Sequence, residues 1–166
     1  MSTLERELAQ IMRRLDMMVA RGASTGISDG GGMQTMQADM LEGEAIDELE
    51  RFQSFGISSV PPAGSDVLAV FIGGNRDQGV VLAINDRGSR PTGLQAGETM
   101  IYNAAEVTIL LNAAGELVIK PKTKVIIEAP QTVEITAPEG VVIKTDTRLR
   151  VEGDIEATGS IAEGVP

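Results

Sequence analysis

An eight-residue repeat between Leu117 and Val151 constrains the fold of this chain more than any other feature. Five successive blocks read LVIKPKTK, VIIEAPQT, VEITAPEG, VVIKTDTR and LRVEGDIE, each with Leu or Val first and Ile or Val third. Two apolar residues separated by one position point to the same face of a β-strand. Mainly proline, glycine and polar residues fill the last four positions, so each block predicts one short strand followed by a corner.

The residues at the first and third positions of these blocks are the predicted core of an assembly. They are Leu117, Ile119, Val125, Ile127, Val133, Ile135, Val141, Ile143, Leu149 and Val151. Each side chain contributes roughly 1.5–3 kcal/mol if it is fully buried, but ordering the backbone costs about 1–2 kcal/mol per residue. A single ribbon with open edges and one apolar face in water should not be stable alone. We therefore expect residues 104–166 to form an intertwined β-helix in which three chains share one core.

The composition of the 166-residue chain argues against catalysis and nucleic-acid binding. The chain has no cysteine and no histidine, carries a formal charge of -10, and contains one Tyr, three Phe and no Trp. Disulfides, thiolate or imidazole metal sites and the usual general base are therefore missing, and so are the cationic path and stacking surfaces that nucleic acid needs. No apolar run is long enough to span a membrane, and no signal peptide is recognisable. We expect a non-enzymatic protein without a cofactor, synthesised in the cytoplasm.

The first 22 residues predict a helix that serves docking or oligomerisation. Ser2 and Glu5 fit a capping box, the helix is expected over residues 3–20, and Gly22 is expected to end it. The apolar seam residues are Leu4, Leu8, Ile11, Leu15 and Met18. Their alternating spacing of four and three residues is typical of a coiled-coil seam. An ordinary amphipathic helix lying on its own domain is the alternative.

Residues 23–103 divide into a predicted linker and a predicted barrel. Residues 23–32 are rich in glycine and serine and predict a flexible linker; no lysine follows the glycines as it does in a phosphate-binding loop. Residues 33–103 contain five predicted strands, near 33–41, 44–52, 67–72, 80–84 and 99–103. Five antiparallel strands in a segment of this length indicate a small closed barrel of the OB-fold type, making the chain mainly β.

Acidic residues in the repeat are the candidates for catalysis that most need weighing. Glu128, Glu134, Glu139 and Glu152 alternate with Lys120, Lys122, Lys124 and Lys144 in the repeat region. Catalytic carboxylates need a desolvated cleft that shifts their pKa values, and a filled β-helix offers none. We expect these side chains to face solvent and to form exposed ion pairs, so no catalytic residue and no metal ligand is predicted.

The segment between residues 33 and 95 resembles the Mu-type phage baseplate assembly protein V, the central spike of contractile tails. The resemblance is carried by LEGE at 41–44, RFQSFGISSVPPAGSDVLAVF at 51–71, GGNRDQGVVLAINDR at 73–87 and GLQAGE at 93–98. It implies a homotrimer in the tail baseplate of the virion. The N-terminal part would contact the baseplate hub and the tail tube. The β-helix would point toward the host outer membrane and help to puncture it when the sheath contracts.

The sequence departs from the family that it resembles in one respect, which concerns the tip of the spike. Many such spikes end in an apex where His-x-His motifs from three chains hold iron, whereas this sequence contains no histidine. The resemblance therefore carries over no metal ligand. The apex is expected either on a separate spike-tip protein or in residues that are missing from this sequence.

Two other functional classes are compatible with the same architecture. An OB-fold adhesin with a β-helical stalk would bind carbohydrate on an exposed strand face, although the scarcity of aromatic residues disfavours it. The spike of a type VI secretion machine, or of a phage-tail-like particle without DNA, shares the physical design of the phage spike, and the sequence does not separate these from it.

Overall fold

The computed structural model of this protein describes residues 2–40 and 43–159. The chain divides into two units, Met1–Val125 and Ile126–Pro166. Within the described ranges, no helix is long and apolar enough to cross a membrane.

The first element is helix α1, Thr3–Asp16. The predicted capping box is confirmed, because the Glu5 N–H donates to Ser2 Oγ over 3.2 Å and the Ser2 N–H donates to Glu5 Oε2 over 2.7 Å. The helix ends with Met17 as its C-cap, so the predicted extension to residue 20 and the stop at Gly22 are wrong. Met18 lies beyond the helix, where its carbonyl accepts a hydrogen bond of 2.7 Å from the Phe71 N–H.

Five strands of the first unit close into a barrel. They are β1 Val19–Ser28, β2 Gln34–Met40, β3 Ala45–Arg51, β4 Asp66–Phe71 and β5 Gly79–Asn85. Their order is β1-β2-β3-β5-β4, and pairing of β1 with β4 completes the ring. The β3–β5 pair is parallel and the other pairs are antiparallel. The prediction of a mainly β chain with an N-terminal helix and a small OB-like barrel is confirmed.

The predicted linker at residues 23–32 is wrong, because β1 runs through most of it. Small residues let this strand lie close to its neighbours. A Cβ atom built at Gly22 would come within 2.3 Å of the Asp39 carbonyl oxygen on β2. Ser24 is buried, and the register shifts between Ser24 and Gly26. The glycine and serine content that predicted flexibility therefore serves close strand packing.

Alternating apolar residues of the strands fill the barrel. The buried core residues are Met36, Ala38, Met40, Leu49, Val67, Ala69, Phe71 and Val81. Met33, the start of the strand predicted near residues 33–41, precedes β2 and is exposed. The predicted end of that strand, Leu41, lies outside the described residues.

A second, three-stranded sheet follows the barrel. It consists of β6 Thr99–Tyr102, β7 Thr108–Leu111 and β8 Leu117–Lys120, in the order β6-β7-β8 and antiparallel throughout. Residues 112–115 form the turn between β7 and β8, where Asn112 Oδ1 accepts from the N–H groups of Ala114 and Glu116. The strand predicted at 99–103 exists, but it pairs in this sheet and not in the barrel.

The second unit contains most of the repeat. Its described part, residues 126–159, has no regular helix or strand, and every residue in it is exposed. Within residues 104–166 the structure has only strands β7 and β8 of the antiparallel sheet among the described residues, so the β-helix predicted for this range stays a prediction, and its last seven residues, 160–166, lie outside the described part of the chain.

The close approach of β1 to β2 generates a prediction. Gly22→Ala should reduce the free energy of unfolding by about 1–3 kcal/mol, because the added methyl group meets backbone that cannot move aside. Urea denaturation followed by far-UV circular dichroism measures this change.

Gly26→Ala is the matched control in the same strand. Its Cβ would lie 3.7 Å from Gln37 Oε1, an ordinary contact, so its stability should be close to that of the wild type. Equal stability of the two variants would contradict the close approach of β1 and β2.

Candidate assembly surfaces

The apolar seam of α1 is uncovered in the single chain. Leu4, Leu8, Ile11 and Leu15 are each 55–71 % exposed, and no residue of the helix is buried. Met18, the fifth predicted seam residue, is half-buried beyond the helix end. The seam as the structure has it therefore consists of four residues on one face.

The C-terminal end of α1 is nevertheless fixed to the barrel, mainly through Arg76. The Arg76 Nη1 group donates to the Met17 carbonyl over 3.3 Å, and Arg76 Nε donates to Glu44 Oε1 over 3.1 Å. The guanidinium carbon also lies 3.9 Å from the centroid of the Phe71 ring. The hydrogen bond from Arg76 lowers the pKa of Glu44 below its ordinary value of 4.5. Arg76 thus joins the helix end, the start of β3 and the barrel core.

The predicted trimer-core residues form the second uncovered set. The ten apolar side chains of the repeat, from Leu117 to Val151, are each 49–70 % exposed. Only Leu117 and Ile119 of this set lie in a strand, β8. The single chain therefore does not bring these side chains into a core of its own.

The four carboxylates weighed as catalytic candidates are exposed in the single chain, as is every other described residue from 126 to 159. They are Glu128, Glu134, Glu139 and Glu152. Glu152 forms an ion pair with Arg150. Throughout the described ranges, no three His, Cys, Asp or Glu side chains are grouped closely enough to hold a metal ion.

A charged cluster on the barrel surface joins β1, β4 and the end of β5. Asp66 Oδ1 accepts from Arg21 Nη2 over 3.1 Å, and Asp66 Oδ2 accepts from Arg87 Nε over 2.6 Å. The hydrogen bond from Arg87, followed by that from Arg21, lowers the pKa of Asp66. Both arginines are largely exposed, so these two ion pairs stabilise the fold only slightly.

A polar network at one end of the barrel was not found by sequence reasoning. Arg51 Nη1 donates to Gln34 Oε1 over 2.6 Å, and Gln34 Nε2 donates to Asp29 Oδ1 over 2.6 Å. Arg51 Nη2 also donates to Ser59 Oγ over 3.0 Å, and burial lowers the pKa of Arg51. The network fastens the loop after β3 to the barrel, where Phe55 is fully exposed.

Comparison with known proteins gives matches to the gp45 proteins of phage Mu and of a Mu-like prophage. The sequence model of the family described as "Bacteriophage Mu Gp45, N-terminal" matches residues 21–88, which nearly coincide with strands β1–β5. The chain is 37 % identical over 155 residues to the "Baseplate puncturing device gp45" of Escherichia phage Mu, covering 93 % of this chain and 74 % of the relative. It is 32 % identical over 122 residues to the "Mu-like prophage FluMu protein gp45" of Haemophilus influenzae, covering 74 % of this chain and 66 % of that relative.

The contacts of Arg76 generate a prediction about stability and pH. Arg76→Ala should lower the free energy of unfolding by about 1–2 kcal/mol, the sum of a weak ion pair and a cation–π contact. Because the pKa of Glu44 is lowered in the folded state, the ion pair stabilises the protein above pH 4.5 and its contribution is lost as the pH falls through the folded pKa. Thermal unfolding between pH 3 and 7 measures both effects.

Arg87→Ala is the control, since Arg87 is more exposed than Arg76 and contacts only Asp66 among the partners described above. It should change stability less than Arg76→Ala does. A destabilisation by Arg76→Ala that is independent of pH would contradict the role of Glu44.

Proposed function

This chain belongs to the bacteriophage Mu gp45 family of phage baseplate proteins, and on that premise we propose that three copies of it form the central spike of a contractile tail. The Mu relative is named a baseplate puncturing device, and the match covers nearly all of the present chain. The observation that carries the trimer is the exposure of all ten apolar repeat residues in the single chain.

The proposed trimer buries the apolar repeat residues that a single chain leaves exposed. Each repeat would contribute two apolar side chains to a shared interior, and every strand would pair with strands of the other two copies. One chain then cannot unravel without breaking hydrogen bonds on its partners, so unfolding under load is slow. Five blocks at about 5 Å each, the spacing of adjacent strands, would span roughly 25 Å. Such a short extent favours a separate tip protein at the distal end.

The N-terminal seam is the proposed contact with the rest of the baseplate. Leu4, Leu8, Ile11 and Leu15 are exposed on a helix whose C-terminal end is fixed to the barrel. A narrow apolar stripe on a short helix suits burial in a groove of another protein. In this proposal the seam binds the hub or tail-tube protein. The C-terminal end that carries the eight-residue repeat is directed to the host outer membrane.

The proposed role requires no chemical step. Rigidity, docking and penetration are mechanical properties, and they need neither a cofactor nor a metal ion in this polypeptide. The exposed carboxylates and lysines of the repeat would form the outer surface of the trimer and keep it soluble.

The prediction that the apolar repeat residues face the interior of a trimer can be tested by introducing one charged side chain. Ile135→Asp should abolish the trimer, because three carboxylates would meet in an apolar interior without partners. Multi-angle light scattering measures the mass, and electron microscopy of particles assembled with the variant shows whether the axial spike is present.

Thr136→Asp is the matched control, since it places the same carboxylate one residue along, on the side predicted to face solvent. This variant should assemble like the wild type. Unchanged trimers of Ile135→Asp, or equal loss of assembly in both variants, would contradict the proposed core.

A further inference from the structure

The last turn of helix α1 and the connection between β4 and β5 approach each other at backbone distance. Gly74 ends the short 3-10 helix Ile72–Gly74 in that connection. A Cβ atom built on Gly74 would lie 2.5 Å from the Arg14 carbonyl oxygen and 3.1 Å from the Arg14 Cα atom. Backbone atoms cannot rotate aside as a side chain can, so a methyl group at position 74 would displace the end of the helix.

Two hydrogen bonds hold the residues that join the helix to the barrel. The Phe71 N–H donates to the Met18 carbonyl over 2.7 Å, and Arg76 Nη1 donates to the Met17 carbonyl over 3.3 Å. Helix α1 ends at residue 16 and β1 begins at Val19, so these two carbonyls belong to the whole of the joining segment. The positive charge of Arg76 at the C-terminal end of the helix also interacts favourably with the helix dipole.

The connection between β4 and β5 is itself held in shape by its own hydrogen bonds. The Asn75 N–H donates to the Ile72 carbonyl and the Gln78 N–H donates to the Asn75 carbonyl, both over 3.1 Å. The Ile72 N–H donates to the Gln78 carbonyl over 3.2 Å, and Asn75 Oδ1 accepts from the Asp77 N–H over 3.1 Å. A connection bonded in this way is a firm support for the helix end.

Helix α1 needs such a support because it is short and uncovered. It has 14 residues, and none of them is buried. Isolated helices of this length are only marginally stable in water. The capping box orders the first turn but does not set the direction of the helix relative to the barrel. That direction is set where the last turn meets the connection between β4 and β5.

We propose that Gly74 and Arg76 are positioning residues that hold α1 at one angle to the barrel, so that its apolar seam meets the partner protein already ordered. The inference rests on the proposed docking of this seam to the hub or tail-tube protein and adds the residues that prepare it. Neither residue needs to touch the partner. An ordered helix loses less conformational entropy on binding, and the apparent affinity rises with the fraction of molecules in the competent orientation.

Gly74→Ala and Gly73→Ala in the full chain form a matched pair of variants. The two glycines have positive φ angles of 73° and 63°, so alanine introduces similar backbone strain at either position. A Cβ atom at Gly73 would meet nothing within 4 Å, whereas the one at Gly74 meets the backbone of Arg14. Only Gly74→Ala should therefore move the helix.

Pulsed electron paramagnetic resonance measures the orientation of the helix. The natural chain contains no cysteine, so Gln10→Cys on α1 and Gln37→Cys on β2 introduce two spin labels at exposed positions. Refolding with an excess of unlabelled chain restricts the measured distances to one chain. We expect a narrow distance distribution without a further substitution and with Gly73→Ala, and a shifted or broadened one with Gly74→Ala.

Three results of this measurement would overturn the inference. They are a broad distribution before any glycine is replaced, an unchanged distribution in Gly74→Ala, and the same broadening in Gly73→Ala. Circular dichroism verifies that the barrel is intact. If Gly74→Ala has lost strand content, Arg76→Gln replaces it, because the shorter uncharged side chain loses the contact with the Met17 carbonyl. The same outcomes then apply, with Arg87→Gln as the control.

Competition during assembly measures the consequence for docking. The wild-type and variant chains are produced in equal amounts in cells that assemble the contractile tail, and mass spectrometry of purified tails gives their ratio. Gly74→Ala should be incorporated roughly three- to tenfold less than the wild type, and Gly73→Ala should be incorporated equally. Equal incorporation of a Gly74→Ala chain whose helix is displaced would overturn the inference.

Leu8→Asp separates this inference from the docking on which it rests. The substitution places a charge within the seam and leaves the Gly74 contact unchanged, so this variant should be excluded from tails. Normal incorporation of Leu8→Asp would contradict the docking of the seam and the inference together. Exclusion of Leu8→Asp with normal incorporation of Gly74→Ala would contradict the inference alone.

Discussion

The eight-residue repeat carries apolar side chains that the single chain leaves uncovered. From Leu117 to Val151 the eight-residue repeat places Leu, Ile or Val at two positions of every block, and all ten of these side chains are 49–70 % exposed in the single chain. Leaving such side chains half exposed forgoes most of the roughly 25 cal/mol per Å² that apolar burial provides. A barrel or sandwich covers its apolar face with its own strands, but a ribbon of short strands has no second layer. Identical copies are the simplest source of that layer.

The barrel has the opposite character, since its core is complete within one chain. Eight buried apolar residues and a closed ring of five strands need no partner. This self-sufficient unit holds two features that point outward, namely the seam of α1, fixed at its C-terminal end by Arg76, and the loop after β3, held by Arg51. The chain thus combines a barrel whose core is complete with apolar side chains that the single chain leaves exposed, a combination that suits a component of a larger assembly.

The sequence predicted elements best where the pattern was strongly periodic. The capping box and four barrel strands follow from cap chemistry and the pattern of apolar residues. Strand β1 was missed because its small residues resemble those of a flexible linker. The reason for small residues is visible only in the structure, where the backbone at Gly22 lies against the backbone of Asp39. The network of Arg51 was also beyond prediction, since its partners are distant in sequence and polar groups carry no periodicity. The assignment of β6 to the barrel failed because strand propensity does not determine which neighbour a strand selects.

The mass of the unmodified chain in solution tests the central claim most directly. Multi-angle light scattering over a dilution series should give three times the 17.5 kDa mass of one chain. Circular dichroism of the same samples should show folded strands. A folded species with the mass of a single chain at every concentration would contradict the proposed trimer. The apolar side chains of the eight-residue repeat would then be buried without partner chains.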